Sequence, residues 1–193
     1  MKHYYRNVRD ALKAWGSIVI STVLAINCLL FFVLSVKSII MYVPPYVITQ
    51  ERVQQIYDSL YLASGEDPKS KLPIAVIDAE DVNAYAYSGG MVVFTGLATV
   101  IHNDDELALV IGHELAHITL SHVYGVEGTS EDVIRHHEGL ADKLGAFYMM
   151  KAGYDVCHGK EFFHTLKGLG AGEGGSHPMH DWRYNQLDVN CSK

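Results

Sequence analysis

The sequence predicts a small α+β domain that follows one transmembrane helix. Three features predict this architecture: 21 uncharged residues from Gly16 to Val36, short runs of β-branched and aromatic residues between positions 73 and 95, and longer stretches with helical periodicity around those runs. The chain has 193 residues, of which 49% are hydrophobic and 19% charged. It is therefore long enough for one globular domain, with a small antiparallel-edged sheet, in addition to the apolar segment.

The apolar segment is long enough to cross a membrane as a helix. At roughly 1.5 Å per residue it spans about 31 Å, close to the thickness of a hydrocarbon core. The residues before it include four basic side chains, which favour the cytoplasmic side: Lys2, Arg6, Arg9 and Lys13. We therefore expect a cytoplasmic N-terminus at 1–15, a signal anchor in membrane lipid at 16–36, a linker at 37–48 and a domain at 49–193. That domain would lie on the far side of the membrane, which is the periplasm if the protein is from a Gram-negative bacterium.

Three alternatives for segment 16–36 remain open. A cleaved signal peptide usually has a shorter apolar region of roughly 7–15 residues, and no clear A-x-A site follows this one. A lipoprotein signal would use Cys28, although Asn27 before it is not the small residue expected there. A buried core helix is the third alternative, and the length of the segment argues against it.

Charge limits the partners of the domain. The first 15 residues hold four of the 15 basic and one of the 22 acidic residues, which leaves 11 and 21 and a net charge of −10 for the rest. Nucleic-acid binding needs a basic surface, so the sequence argues against it.

Cysteine usage suggests one disulfide. Cys28 lies in the apolar segment, which leaves Cys157 and Cys191 as the pair that the domain offers. In an oxidising compartment these two would form a bridge; two free thiols are the alternative.

The domain is predicted to contain three short strands and five helices. The strands are expected at 73–78, 83–87 and 91–95, with a tight turn at Gly89-Gly90 between the last two. The helices are expected at about 49–63, 103–122, 131–152, 156–169 and 181–187.

The helix predicted at 103–122 contains an H-E-x-x-H motif. Its histidines, His113 and His117, lie one turn apart on one face, so both imidazoles can bind one metal ion. Glu114 is rotated by about 100° around the helix axis, where its carboxylate reaches a water on the metal rather than the metal itself. Zinc lowers the pKa of such a water, and Glu114 would take its proton as general base.

A catalytic zinc needs a third protein ligand and an open position. Glu138 follows the second histidine of the motif by 21 residues, after a glycine-containing turn that lets the next helix fold back. Asp142, one turn further on, is placed to hydrogen-bond the outer nitrogen of a ligating histidine, most plausibly His113. The alternative is an exposed Glu/Asp pair, with His136 or His137 as the third ligand.

Together these motifs resemble a known family. HELAH, followed by HHEGLADKLGAFYMMKAGYD, is similar to the gluzincin zinc peptidases of the HtpX, BepA and CAAX-prenyl-protease type. The resemblance covers roughly residues 49–188. It implies a zincin-like fold, one Zn²⁺ per chain, and hydrolysis of peptide bonds in unfolded or membrane-associated proteins, as in envelope protein quality control.

Two further segments resemble that family. The segment before the zinc helix implies an edge strand on which extended substrate docks, at Met91, Val92, Val93 and Phe94. His177-Pro178, with Arg183 six residues later, resembles the family's downstream H-P…R element. The resemblance implies that His177 helps to stabilise the oxyanion of the tetrahedral intermediate and that Arg183 orders the region around the site.

Two other functions remain open. One is a zinc-stabilised binding or regulatory protein that holds polypeptides without cutting them, and the other is a metal-dependent hydrolase of a different bond. A purely structural zinc site usually closes with four protein ligands and has no use for a carboxylate such as Glu114. The remaining histidines show no paired ligand spacing and are expected at the surface or in helix caps: His102, His122, His158, His164 and His180.

Overall fold

A computed structural model describes residues 46–122, 130–169, 180–187 and 191, together with Trp15, Thr22 and residues 25–28. The chain forms two units, Met1–Pro44 and Pro45–Lys193. In the first unit the described residues are helical, and most of the predicted anchor at 16–36 lies outside them. Within the described residues, no helix is both long and apolar enough to span a membrane.

The second unit contains one mixed sheet. Its strands are β1 (Ile74–Ile77), β2 (Ala84–Tyr87) and β3 (Gly90–Phe94), which lie close to the predicted positions. The strand order is β1-β3-β2, with β3 parallel to β1 and antiparallel to β2.

Because β3 is the central strand, the predicted substrate-binding edge at Met91 to Phe94 is wrong. β3 is paired on both sides, and its first four residues are buried. A continuously apolar strand is typical of the middle of a sheet, whereas an edge strand more often alternates. β2 does alternate: Ala84 and Ala86 are buried, while Tyr85 and Tyr87 are 42% and 49% exposed.

The first helix of the second unit, α1 (Gln50–Ser64), lies within one residue of the predicted bounds 49–63. The Thr49 hydroxyl accepts a hydrogen bond from the Arg52 N–H at 3.2 Å, and Gly65 ends the helix with a φ of +80°. The buried face includes the residues whose spacing predicted the helix: Val53, Ile56, Tyr57 and Leu60.

Two long helices follow the sheet. α2 (Asp104–Thr119) is capped by Asn103, whose side chain accepts the Glu106 N–H at 2.9 Å. The Glu106 carboxylate accepts the His102 N–H in return, which completes a reciprocal cap. α3 (Glu131–Ala152) has the predicted bounds and ends at Gly153, which has a φ of +89°.

The two long helices are in close contact at a position where each carries a glycine. A Cβ added at Gly145 of α3 would lie 2.7 Å from both the Gly112 carbonyl carbon and the His113 nitrogen of α2. No side chain fits in that space, so the backbones are in direct contact. This contact brings the α3 carboxylates to the α2 histidines.

The predicted helix at 156–169 is divided into α4 (Val156–Gly159) and α5 (Glu161–Gly168). The division coincides with a close approach, because a Cβ at Gly159 would lie 2.8 Å from the Asp105 carbonyl oxygen. The last helix is α6 (His180–Gln186).

A disulfide joins Cys157 of α4 to Cys191, which follows α6, across 34 residues with a Cα–Cα distance of 5.7 Å. Both α5 and α6 therefore lie inside one covalently closed loop.

The glycine contact yields a test of the fold. Gly145→Ala forces the helix backbones apart, so we expect it to lower the free energy of unfolding of the metal-free protein by about 1–3 kcal/mol. Urea denaturation in the presence of a chelator measures this. Gly168→Ala is the matched control, because a Cβ there meets nothing within 4 Å. Equal stabilities of the two variants would show that the contact is not tight.

Candidate functional site

Three buried side chains from α2 and α3 converge on one point. The Nε2 atoms of His113 and His117 lie 3.0 Å apart. The Glu138 carboxylate places one oxygen 3.4 Å from His113 Nε2 and the other 3.3 Å from His117 Nε2. All three residues are at most 4% exposed, and together they form a group that could hold a metal ion.

The spacing of these donor atoms fits zinc. Bonds of about 2.0–2.2 Å in a tetrahedral arrangement separate neighbouring ligand atoms by about 3.3–3.5 Å. The observed separations of 3.0, 3.3 and 3.4 Å come close to this geometry. His136 and His137, the alternative ligands, do not belong to the group: His136 is exposed and His137 is half-buried beside His122.

The outer nitrogen of His113 faces a buried ion pair. Asp142 Oδ1 lies 2.8 Å from His113 Nδ1, and Arg183 of α6 donates to both Asp142 oxygens, at 2.6 and 2.9 Å. If Nε2 of His113 binds a metal, the proton lies on Nδ1, from which it can be donated to Asp142. Asp142 would then fix the tautomer and orientation of this imidazole, and Arg183 holds Asp142.

The two ligand histidines lie in different electrostatic environments. Burial and the charge of Arg183 both lower the pKa of His113, but Asp142 and Glu138 outweigh them and raise it to about 9. Burial lowers the pKa of His117 to about 4, and Glu138 offsets this only in part. Burial alone would raise the pKa of Asp142, yet Arg183 brings it down to about 2.

Glu114 lies outside the ligand group but inside the same buried region. Its Oε2 accepts a hydrogen bond from the Ala86 N–H of β2 at 2.8 Å, and the residue is 3% exposed. The carboxylate is thereby placed between the ligand helix and the edge of the sheet. From there it can exchange a proton with a group bound next to the ligands.

Two histidines expected at the surface are placed differently. His180 is 5% exposed, and the Nδ1 of His122 lies 2.9 Å from the Nδ1 of His117. The position of His122, five residues after His117, is the one sequence feature that could have indicated this contact. The sequence does not show that the chain turns back there. His177, the predicted oxyanion residue, lies outside the described residues.

An apolar cavity of about 120 Å³ opens beside the site. The polar residues that line it are Asn83, His113, Glu114, His180 and Arg183. Its apolar walls come from β2, from residues just before β2 and just after β3, from α2 and from α5: Val82, Ala84, Leu97, Leu109, Val110, Phe162, Phe163 and Leu166. A small or medium-sized apolar group bound there would lie next to the Glu114 carboxylate.

A helix with H-E-x-x-H and a glutamate ligand from the following helix define the gluzincin class of zinc peptidase domains. Within this class, residues 48–130 match Peptidase family M48, and the match includes both histidines and Glu114. The match covers 83 of the 193 residues, so the similarity to this family is shown for that segment.

Similar proteins are also metallopeptidases or proteases by name. The chain is 42% identical over 50 residues to Metalloendopeptidase OMA1, mitochondrial, of Bos taurus, covering 25% of this chain and 10% of the relative. It is 36% identical over 63 residues to the Putative beta-barrel assembly-enhancing protease of Vibrio cholerae, covering 32% and 13%. It is 46% identical over 46 residues to Metalloprotease LoiP of Escherichia coli, covering 23% and 18%. The chain thus spans less than a fifth of the length of each relative.

The buried ion pair gives a stability prediction. Arg183→Met leaves the Asp142 carboxylate buried without its main counter-charge, so we expect a loss of about 3–5 kcal/mol in the free energy of unfolding. Lys167→Met is the matched control, because Lys167 joins α5 to Asp181 of α6 through an exposed ion pair. An exposed pair contributes about 1 kcal/mol or less. Chemical denaturation with a chelator present compares the two; similar small losses would contradict the assignment.

Proposed function

We propose that the protein is a membrane-anchored zinc metalloendopeptidase that cleaves unfolded or membrane-associated polypeptides. The observation that carries the proposal is the buried group of His113, His117 and Glu138 with the Glu114 carboxylate beside it, hydrogen-bonded to an edge strand. A purely structural site does not explain a buried carboxylate outside the ligand set.

The chain's own residues have separate tasks in peptide hydrolysis. His113, His117 and Glu138 would hold a zinc ion, which supplies Lewis acidity at the substrate carbonyl. Glu114 accepts the proton of the attacking water and passes it to the leaving amine nitrogen. Asp142 keeps His113 in the ligating tautomer, and His177 is proposed as the donor to the oxyanion.

Substrate would bind as a strand along β2. β3 is paired on both sides, whereas β2 lies at an edge and contacts Glu114 through the Ala86 N–H. Backbone pairing at a sheet edge gives affinity with little selectivity for side chains. Such recognition suits the cleavage of extended, unfolded segments.

The membrane location is proposed from the sequence. The 21 uncharged residues of segment 16–36, preceded by basic residues, support an anchor with a cytoplasmic N-terminus and the catalytic domain on the far side. One relative is named as a beta-barrel assembly-enhancing protease, which supports a role in the quality control of envelope proteins.

The decisive experiment compares the full-length protein with Glu114→Gln. Both should bind about one zinc per chain, because Glu114 is not in the ligand group. The wild type should cleave casein at least about 100-fold faster than Glu114→Gln, and a chelator should abolish the cleavage. Metal analysis and a casein cleavage assay provide the measurements.

The other outcomes separate the alternatives. Zinc in both proteins with no cleavage by either would favour a zinc-stabilised binding protein. Equal cleavage by both would remove Glu114 from the role of general base. The absence of zinc from both would refute the ligand assignment.

The apolar cavity predicts a substrate preference. An apolar substrate side chain next to the scissile bond would fill the cavity. The larger side chain of Val110→Phe would obstruct the cavity, because Val110 lines it. We expect this variant to cut beside large apolar residues roughly tenfold less efficiently, while cuts beside Ala and Gly persist. Mass spectrometry of casein fragments measures the profile. Val133→Phe, a substitution at a 42% exposed position of α3, is the control; identical profiles for the two variants would exclude the cavity from substrate binding.

A further inference from the structure

The C-terminus of α2 has an unusual backbone. Ser121 has a φ of +53°, and within the described part of the chain it is the one non-glycine residue with a positive φ. Glycine occupies the corresponding position at the ends of α1 and α3, at Gly65 and Gly153. A side chain disfavours this conformation, and such outliers persist where the surrounding structure requires them.

The turn at Ser121 brings His122 back over the ligand helix. The His122 N–H donates to the His117 carbonyl oxygen at 3.0 Å, which closes the turn. The His122 imidazole then lies with its centroid 5.0 Å from that of His117, and the two Nδ1 atoms are 2.9 Å apart.

The ring of His122 is also held from α3. It stacks on His137 with centroids 4.0 Å apart and planes inclined by 10°. His122 is therefore fixed by its own backbone, by His117 and by a second helix.

The direction of the Nδ1–Nδ1 hydrogen bond follows from the ligand geometry. His117 Nε2 faces His113 and Glu138, so the proton of a ligating His117 lies on Nδ1. His122 Nδ1 must then accept this proton and keep its own hydrogen on Nε2. His113, by contrast, donates to the Asp142 carboxylate.

We propose that His122 is a positioning residue for His117: it selects the tautomer of this imidazole and fixes its orientation toward the metal. The proposal rests on the proposed zinc site but not on peptide cleavage. Groups that hold the outer nitrogen of a ligand typically change metal affinity by about 10- to 100-fold when they are removed.

The test measures zinc affinity of full-length variants by competition with a chromophoric chelator. His122→Phe keeps a flat ring on His137 but removes the acceptor, and we expect zinc to bind about 10- to 100-fold more weakly. In His122→Asn the amide oxygen can take the place of Nδ1, so affinity should recover to within about threefold of the wild type. His136→Phe, at an exposed neighbouring position, should leave affinity unchanged.

A second measurement separates positioning from general destabilisation. The visible spectrum of the Co²⁺-loaded protein should change in His122→Phe and return in His122→Asn, whereas loss of stability alone moves neither band position nor shape. Wild-type zinc affinity in His122→Phe would overturn the inference and leave the proposed function standing. If His122→Phe binds zinc more weakly and the wild type does not cleave casein, the inference would be supported and the proposed peptidase activity refuted. The absence of zinc from the wild type would overturn both.

Discussion

The site depends on the contact between α2 and α3 at Gly112 and Gly145. Neither helix alone carries the whole group that could hold a metal ion, because His113 and His117 belong to α2 and Glu138 belongs to α3. Glu138 precedes Gly145 by seven residues, about two helical turns, and therefore lies on the same side of α3 as the contact. His113 follows Gly112 directly. Any side chain at the contact would widen the gap that Glu138 has to span.

The buried polar groups of the site interact with one another rather than with solvent. Arg183 neutralises Asp142, Asp142 supports His113, and Glu138 faces both histidines. Burying these groups separately would cost several kcal/mol each, so their mutual hydrogen bonds are required for the fold as well as for the site. The outer nitrogens of the two imidazoles meet different acceptors, an anion at one and a neutral ring at the other. A metal bound between them would consequently receive unequal electron donation from the two ligands.

The sequence predicts what depends on local spacing. The bounds of α3 and the common face of His113 and His117 follow from periodicity and caps, and the structure has both. The position of β3 in the sheet depends on which strands pair with it, and local spacing does not specify those partners, although the unbroken apolar run of β3 is typical of a central strand. The position of His122 depends on the left-handed backbone conformation of Ser121. A serine in the sequence does not predict this conformation, because glycine usually adopts it at the end of a helix.

With β2 rather than β3 at the edge, the backbone of β2 would also set the register of a strand bound there. The Asn83 carbonyl accepts a hydrogen bond from the Phe94 N–H of β3. The backbone N–H and C=O groups of the odd-numbered residues of β2 therefore point toward β3. The Ala86 N–H points away from β3, to Glu114. A strand that pairs with β2 could therefore form hydrogen bonds with the outward N–H and C=O groups of Ala84. At Ala86 it would lie beside the Glu114 carboxylate. Because the Glu114 carboxylate occupies one hydrogen-bonding position of this edge, it would interrupt a ladder of hydrogen bonds there. With Glu114 as the base, edge pairing and proton transfer would be coupled through one backbone N–H, and the peptide bond opposite Ala86 would be the one presented to the carboxylate.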